Sequence, residues 1–305
     1  MSGKAHQLFW YSTVRLFVEL NEALTYGMSI LKRLFGGNKP AKHVSPKITS
    51  VPPESSAEGP DMIRVYDAYG RELFITRQQW RDNVLLGTIE KNWDDAEKLA
   101  GFIIQSLHDS FFDEMVRPAE RLLQIDEDAE RSAVLLAIVY LKVGRLDDSQ
   151  RVLQHYMSRN GESGVILTNL AKVHAERGED EKTLSTLWHA LELDPNQDNG
   201  LGWYEVIHRE RGGEAAGVEA LRRIAALPGS WRAQLWLARA ELRAPRLDRA
   251  LTLYQECLAR AGKPAPTDML MDMSGELGKA GHFTQIFELV EPAFEPAVHG
   301  LQVGN

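Results

Sequence analysis

The sequence predicts an all-α protein: a solenoid of stacked helical hairpins, with a small β-hairpin before it and an amphipathic helix at its N-terminus. Three observations predict this. Gly144, Gly178 and Gly212 recur at a step of 34 residues, and the apolar positions around them keep that step. Between the glycines the apolar residues follow helical spacing. The chain carries one cysteine, Cys257, so no intrachain disulfide can hold a small fold together and packing has to.

Residues 8–35 read as the first helix. Trp10, Val14, Phe17, Asn21, Leu24, Met28, Leu31 and Phe35 follow alternating steps of four and three. Arg15, Glu19, Glu22 and Arg33 lie on the other side, and they interrupt the apolar run that a signal peptide would need. The residues leave three roles open for this helix: docking on the body of the protein, self-association or binding of a partner helix, and lying on a membrane surface. Asn21 within the apolar seam is the kind of residue that sets coiled-coil register.

Residues 36–61 are expected to form a flexible linker. Twelve of the 27 residues 36–62 are Gly, Pro or Ser, too few apolar groups to offset the entropy of ordering the segment. The stretch 62–126 then reads as a β-hairpin plus helices. Ile63 and Val65 alternate, Asp67-Ala68-Tyr69-Gly70 breaks the run with Gly70 suited to positive φ, and Leu73 and Ile75 resume it. Thr76 and Gln79 have the spacing of a capping box, which opens a helix through Trp80, Val84 and Leu85. Helices are expected over 94–108 and 111–125, with Pro118 kinking or restarting the latter, and this pair is a candidate for a diverged repeat.

The solenoid is expected over 127–305, in units at about 130–163, 164–197, 198–230, 231–266 and 267–296. Leu136, Leu170 and Tyr204 keep the 34-residue step, as do Tyr140, His174 and His208. Leu170-Ala171, His174, Gly178, Thr183, Leu187, Ala190 and Asp194-Pro195 resemble a tetratricopeptide repeat (TPR): a large apolar residue then a small one, an aromatic position, a turn glycine, small residues where helices touch, and a closing proline. In the fourth unit Pro245 replaces the turn glycine. In the fifth, Ile286 stands where a small residue is usual. Val303-Gly304-Asn305 resembles the large-small-Asn signature of a first helix, so the last unit is expected to be incomplete. The run Asp198–Tyr204 is similar to bacterial TPR proteins of unassigned function.

The resemblance implies a concave surface lined by the first helix of each unit. It places Val134, Ile138 and Leu141, then Thr168 and Lys172, then Asn199, Val206 and Arg209, then Arg232, Leu235 and Arg239 on that surface. Asn169 stands at one position of the carboxylate clamp found in some TPR proteins. Val134 and Ile138 stand where that clamp has Lys and Asn one unit earlier, and Trp203 occupies its place one unit later, so the clamp is not expected. The expected groove is apolar toward Val134 and basic toward Arg239, a lining suited to an acidic protein or peptide segment. Alternatively, Lys172 and Arg209 pair with Glu176 and Glu210 on neighbouring turns.

Composition narrows the function. With 44% hydrophobic and 26% charged residues the chain is globular, and no run approaches a membrane span. Residues 1–50 hold seven Lys/Arg and two Asp/Glu, whereas the remainder holds 28 and 41. An acidic body does not suit nucleic acid, while the basic start suits an anionic membrane surface. There is no phosphate-binding glycine loop, no H-E-x-x-H and no paired-cysteine spacing. His174 and His208 read as packing residues. No cofactor, metal or catalytic residue is expected. The expectation is a cytoplasmic, non-enzymatic scaffold or adaptor that holds a partner segment. The alternative is a membrane-recruited assembly factor anchored by residues 8–35.

Overall fold

A computed structural model describes residues 62–66 and 72–299. The expected helix at 8–35, the linker at 36–61, the Gly70 turn and the Val303–Asn305 signature lie outside the described residues. The chain forms two compact units, divided between Arg145 and Leu146, inside the stretch that the period assigns to one repeat.

The first unit opens with strands β1 (Met62–Tyr66) and β2 (Glu72–Thr76), paired antiparallel with Ile63 opposite Ile75 and Val65 opposite Leu73. The capping box then forms. The Thr76 N–H donates to Gln79 Oε1 at 2.9 Å, and the Gln79 N–H donates to Thr76 Oγ1 at 3.1 Å. Helix α1 (Arg77–Trp80) passes through a π-helical turn, Arg81–Leu85, into α2 (Leu86–Lys91). Helices α3 (Ala96–His108), α4 (Val116–Ile125) and α5 (Ala129–Lys142) follow. Pro118 is the third residue of α4, in the first turn, where a missing N–H breaks no intrahelical bond. The helix therefore restarts at Val116, after the 3-10 turn Asp113–Met115. Leu85, Leu99, Ile103, Met115 and Leu122 are fully buried.

The second unit contains α6 (Leu146–Asn160), α7 (Gly164–Glu176), α8 (Asp180–Leu193), α9 (Asp198–Ala225), α10 (Arg232–Arg243), α11 (Leu247–Ala261), α12 (Thr267–Lys279), α13 (Phe283–Leu289) and α14 (Pro296–His299). Consecutive helices pack as hairpins, α7 on α8 and α10 on α11, and each hairpin rests on the next. One core joins Leu187 and Leu191 to Leu201, Tyr204 and Leu221. The next joins Tyr254 and Cys257 to Met269, Met273 and Leu277. All-α hairpin stacking is thus the architecture of this unit, because one hairpin cannot bury its apolar face by itself.

The turns share one device. A residue at positive φ ends the helix, and the next N–H reaches back five residues to a carbonyl that the helix leaves without a partner. Gly144, Gly178 and Gly281 have φ of 77°, 73° and 79°. The matching bonds run from Arg145 to Tyr140 at 2.8 Å, from Glu179 to His174 at 2.9 Å and from His282 to Leu277 at 2.9 Å. Two further turns repeat the device without glycine. Ser110, at φ 62°, is followed by Phe111 N–H donating to Ser106 O at 2.8 Å. Pro245 is followed by Arg246 N–H donating to Glu241 O at 2.9 Å. Proline has no N–H, so that turn keeps the long bond and lacks the shorter one that Gly144 makes to Leu141.

In the unit at 198–230 the turn falls one residue later than the period implies. Gly213, not Gly212, takes positive φ, and helix runs up to it from Asp198 and on to Ala225. A Cβ on Gly212 would lie 2.7 Å from the Ala216 Cβ, so Gly212 serves close approach while Gly213 supplies the reversal. In the last unit Ile286 on the second helix faces Gly278 on the first, its Cδ1 3.8 Å from where a Cβ would be, an ordinary contact distance.

Cys257 is fully buried, its thiol donating to the Trp231 carbonyl at 3.3 Å, and burial pushes its pKa up to about 12. The native protein is therefore expected to leave Ellman's reagent unreacted at pH 8 and to react fully in guanidinium chloride. Reaction of the native thiol at the rate of a free peptide thiol would show that the α10–α11 packing opens freely.

Candidate functional site

The candidate surface is the face of the first helices. Of its expected residues, Val134 and Ile138 lie on α5 of the first unit and are half-buried. The others lie in the second unit: Asn169 and Lys172 on α7, Arg209 on α9, and Arg232 and Arg239 on α10.

The arginines are paired within the unit. Arg232 Nη1 lies 3.4 Å from Asp198 Oδ1 on α9, and Nη2 pairs with Asp268 on α12, so one guanidinium links three successive first helices. Arg239 Nε donates to Asp272 Oδ1 at 3.0 Å, and its guanidinium lies 5.5 Å from the centre of the Trp236 ring. Arg209 Nε donates to Glu205 Oε1 at 3.0 Å, one turn back on its own helix; Glu210, the neighbour expected from sequence, is not that partner. Burial raises the Glu205 pKa, and Arg209 opposes that rise. The basic strip is thus charge-balanced by carboxylates on neighbouring first helices and turns.

Lys172 and Asn169 are buried, 5% and 6% exposed. Asn169 Nδ2 donates to the Val165 carbonyl at 2.9 Å, while its Oδ1 is buried with no hydrogen-bond partner. The adjacent Thr168 hydroxyl donates to Gln197 Oε1 at 2.8 Å, and Gln197 Nε2 donates to the Ala190 carbonyl at 3.2 Å. That buried amide locks α7, α8 and the start of α9 together. It fits because Gly164 and Gly200 have no Cβ; one there would lie 2.8 Å from Gln197 Nε2 and 2.9 Å from Gln197 Cδ. One unit on, Asn196 Oδ1 accepts from the N–H groups of Trp231 and Arg232 at 2.8 and 3.0 Å, and its Nδ2 donates to Gly229 O at 2.9 Å. Gln197 and the two glycines carry no repeat signature in the sequence. Only their convergence marks them.

The histidines part company. His174 Nδ1 lies 2.7 Å from Glu179 Oε2 across its own turn, whereas His208 stacks on Tyr204 with ring centroids 4.4 Å apart. Burial lowers the His208 pKa, helped by Arg223 and Arg211, so it is neutral at pH 7. Trp188 is the other aromatic neighbour of Tyr204, with 5.5 Å between the two ring centroids. Among the described residues no group of three His, Cys, Asp or Glu is placed to hold a metal, and no helix is long and apolar enough to cross a membrane.

His189 is the titratable joint. Its Nε2 lies 2.8 Å from Glu162 Oε2, and that hydrogen bond raises its pKa, against the opposing effect of burial. A raised histidine pKa adds stability below the unfolded value near 6.5 and loses it as pH climbs through the folded value. His189→Gln should therefore lower the melting temperature at pH 5.5 and leave it unchanged at pH 8.5. The effect is under ~1 kcal/mol because the pair is half-exposed. An equal loss at both pH values would exclude the protonated pair as its source.

The 34-residue step, the shared turn and the hairpin stacking define an architecture of repeated α-helical hairpins. Among solved structures the chain is similar to TTC0263, a thermophilic TPR protein in Thermus thermophilus, with 21% identity over 60% of this chain and 98% of that one and a TM-score of 0.35. It is also similar to YrrB, described as a TPR protein with an unusual peptide-binding site (15% identity, 63% and 98% covered, TM-score 0.33). A third similar chain is yeast Tom70 (14% identity, 76% of this chain and 47% of that one, TM-score 0.40). No protein-family model matches the chain, and no curated protein does.

Proposed function

We propose that the second unit binds an extended segment of a partner protein across the first-helix face of α7, α9 and α10, and that the chain acts as a non-enzymatic adaptor. Asn169 carries the proposal. Its amide is buried and anchored by Nδ2, yet Oδ1 has no donor. A buried acceptor without a partner is rare and costly, and an N–H of an extended peptide main chain supplies the missing bond. The paired arginines shape specificity. Carboxylates on an acidic segment have to compete with Asp198, Asp268 and Asp272 for Arg232 and Arg239, so a segment of mixed polarity fits better than a strongly acidic one.

The test is site-specific photo-cross-linking in the intact chain. A benzophenone amino acid at Val206, half-buried on α9, should cross-link to one recurring partner segment, while the same probe at the exposed Thr252 on α11 should not. Asn169→Ala should weaken the Val206 product several-fold. Cross-links confined to Thr252, or a Val206 product indifferent to Asn169→Ala, would move the binding surface elsewhere.

A further inference from the structure

We infer that two copies of this chain pack together through the outer face of the hairpin α12–α13, with α12 antiparallel to the partner's α12. The inference is independent of the groove reading and names the occupant of a second surface.

In a stack of hairpins a first helix is covered on one side by its own unit and on the other by the next. Exposure along the first helices follows that rule as far as α12. Among the described residues α7 exposes none, and α10 exposes only its last, Arg243. On α12, Met269, Met273 and Leu277 are buried in the core they share with Tyr254 and Cys257 of α11. The opposite side carries an exposed stripe, Asp268, Met271, Gly275 and Lys279, within one arc of about 80°. Met271 is 56% exposed. The second helix adds to the surface. Among the described residues α13 is the only helix that exposes two large apolar side chains, Phe283 and Phe287, at 62% and 67% and one turn apart. One such side chain on a surface is ordinary, whereas three on one hairpin mark a contact surface.

The order of residues along the stripe identifies the occupant. A two-fold contact is isologous: residue i meets residue j of the partner, and j meets i. The stripe reads acid, large apolar group, no side chain, base, and it complements its own reversal. With the two-fold axis between Met273 and Ser274, Met271 stands opposite the partner's Gly275 and Asp268 opposite the partner's Lys279. Gly275 leaves a hollow, with no heavy atom within 4 Å of where its Cβ would be, and a flexible Met side chain suits such a gap. Both charges keep capacity beyond their in-chain bonds. Asp268 pairs with Arg232 and its side chain remains 49% exposed; Lys279 bonds Glu276 at 2.7 Å and remains 76% exposed. A carboxylate offers about four acceptor sites and an ammonium three donors, so each can hold a second partner. A parallel arrangement would instead set Asp268 against Asp268 and Lys279 against Lys279, which like charge opposes. The face is small. The 13 residues of α12 span ~20 Å and two helices side by side another ~20 Å, giving roughly 400 Å² per copy against the ~800 Å² of a standard interface. The dimer is therefore weak and concentration-dependent.

Sedimentation equilibrium of the intact chain across the micromolar range tests this. The wild-type chain should pass from monomer to dimer as its concentration rises. Lys279→Glu and Asp268→Lys should each raise the dimer dissociation constant at least roughly tenfold, because each sets like charges against one another across the two-fold. An equimolar mixture of the two variants should recover the dimer, because opposite charges then meet at both contacts. Met271→Asp should weaken the dimer in every mixture. An unreactive Cys257, which shares its core with α12, reports that the hairpin remains folded. If Asp268→Lys exposes that thiol, Asp268→Asn takes its place, and its mixture with Lys279→Glu should recover part of the dimer. A chain that stays monomeric throughout overturns the inference. A dimer that persists in both single variants overturns it too, by moving the contact to another surface. A mixture of folded variants that stays monomeric overturns the antiparallel register and the inference with it.

Discussion

Gly164→Ala should destabilise the second unit by about 1–3 kcal/mol, the usual range for overpacking a close contact. The added Cβ would lie 2.9 Å from the Ala190 carbonyl oxygen, 2.9 Å from the Asp194 Cβ and 2.8 Å from Gln197 Nε2. The first of these is backbone at the end of α8, so relief requires α7 and α8 to part, which also strains the Thr168–Gln197–Ala190 bonds. Gly275→Ala is the control with the opposite sign. Nothing lies within 4 Å of that Cβ in the middle of α12, so the substitution should gain up to ~1 kcal/mol from helix propensity and lost unfolded-state freedom. Urea midpoints of the two variants check both signs. A neutral Gly164→Ala would mean that the α7–α8 joint is looser than its distances state.

Arg239→Glu should cost about 3 kcal/mol, as breaking a largely buried ion pair does, because it sets two carboxylates face to face at Asp272. The reverse change, Asp272→Arg, added to it should recover a large part of that loss. Thermal unfolding of the two single variants and the double variant gives the coupling directly. The cycle also separates two roles for Arg239. A structural link between α10 and α12 predicts instability rescued by the swap, whereas a residue held for ligand charge alone predicts a stable single variant with lost binding. For the same reason a triple change of Lys172, Arg209 and Arg239 to Glu is not the inexpensive surface substitution that an exposed basic strip would allow. It would bury one new carboxylate at 172 and oppose Asp272 with another.

Several elements were legible because their signals are local. The capping box at Thr76 and Gln79 involves atoms three residues apart, and the register of Ile63 with Ile75 follows from alternation on each side of one turn. The turn at Gly178 is marked by the one residue type that takes positive φ at no cost. Where the marker was shared or missing, position slipped. Gly212 and Gly213 are adjacent, so the period alone does not say which of them reverses the chain. Ser110 makes the same turn 34 residues before Gly144 with no glycine to announce it.

What the sequence by itself determined is the repeat: its step, its helical hairpins and most of its turns. Helix periodicity, caps and turn glycines are properties of residues within about five positions of one another, so they survive in one dimension. The tertiary structure alone decided the state of the candidate face. The charges of Arg232 and Arg239 are visible in the chain, but their carboxylates stand 34, 36 and 33 residues away on other hairpins. Gln197, Gly164 and Gly200 matter because three helices converge on them, and no local signal marks Lys172 as buried. Burial and pairing are sums over groups that stacking brings together, and no window along the chain contains them.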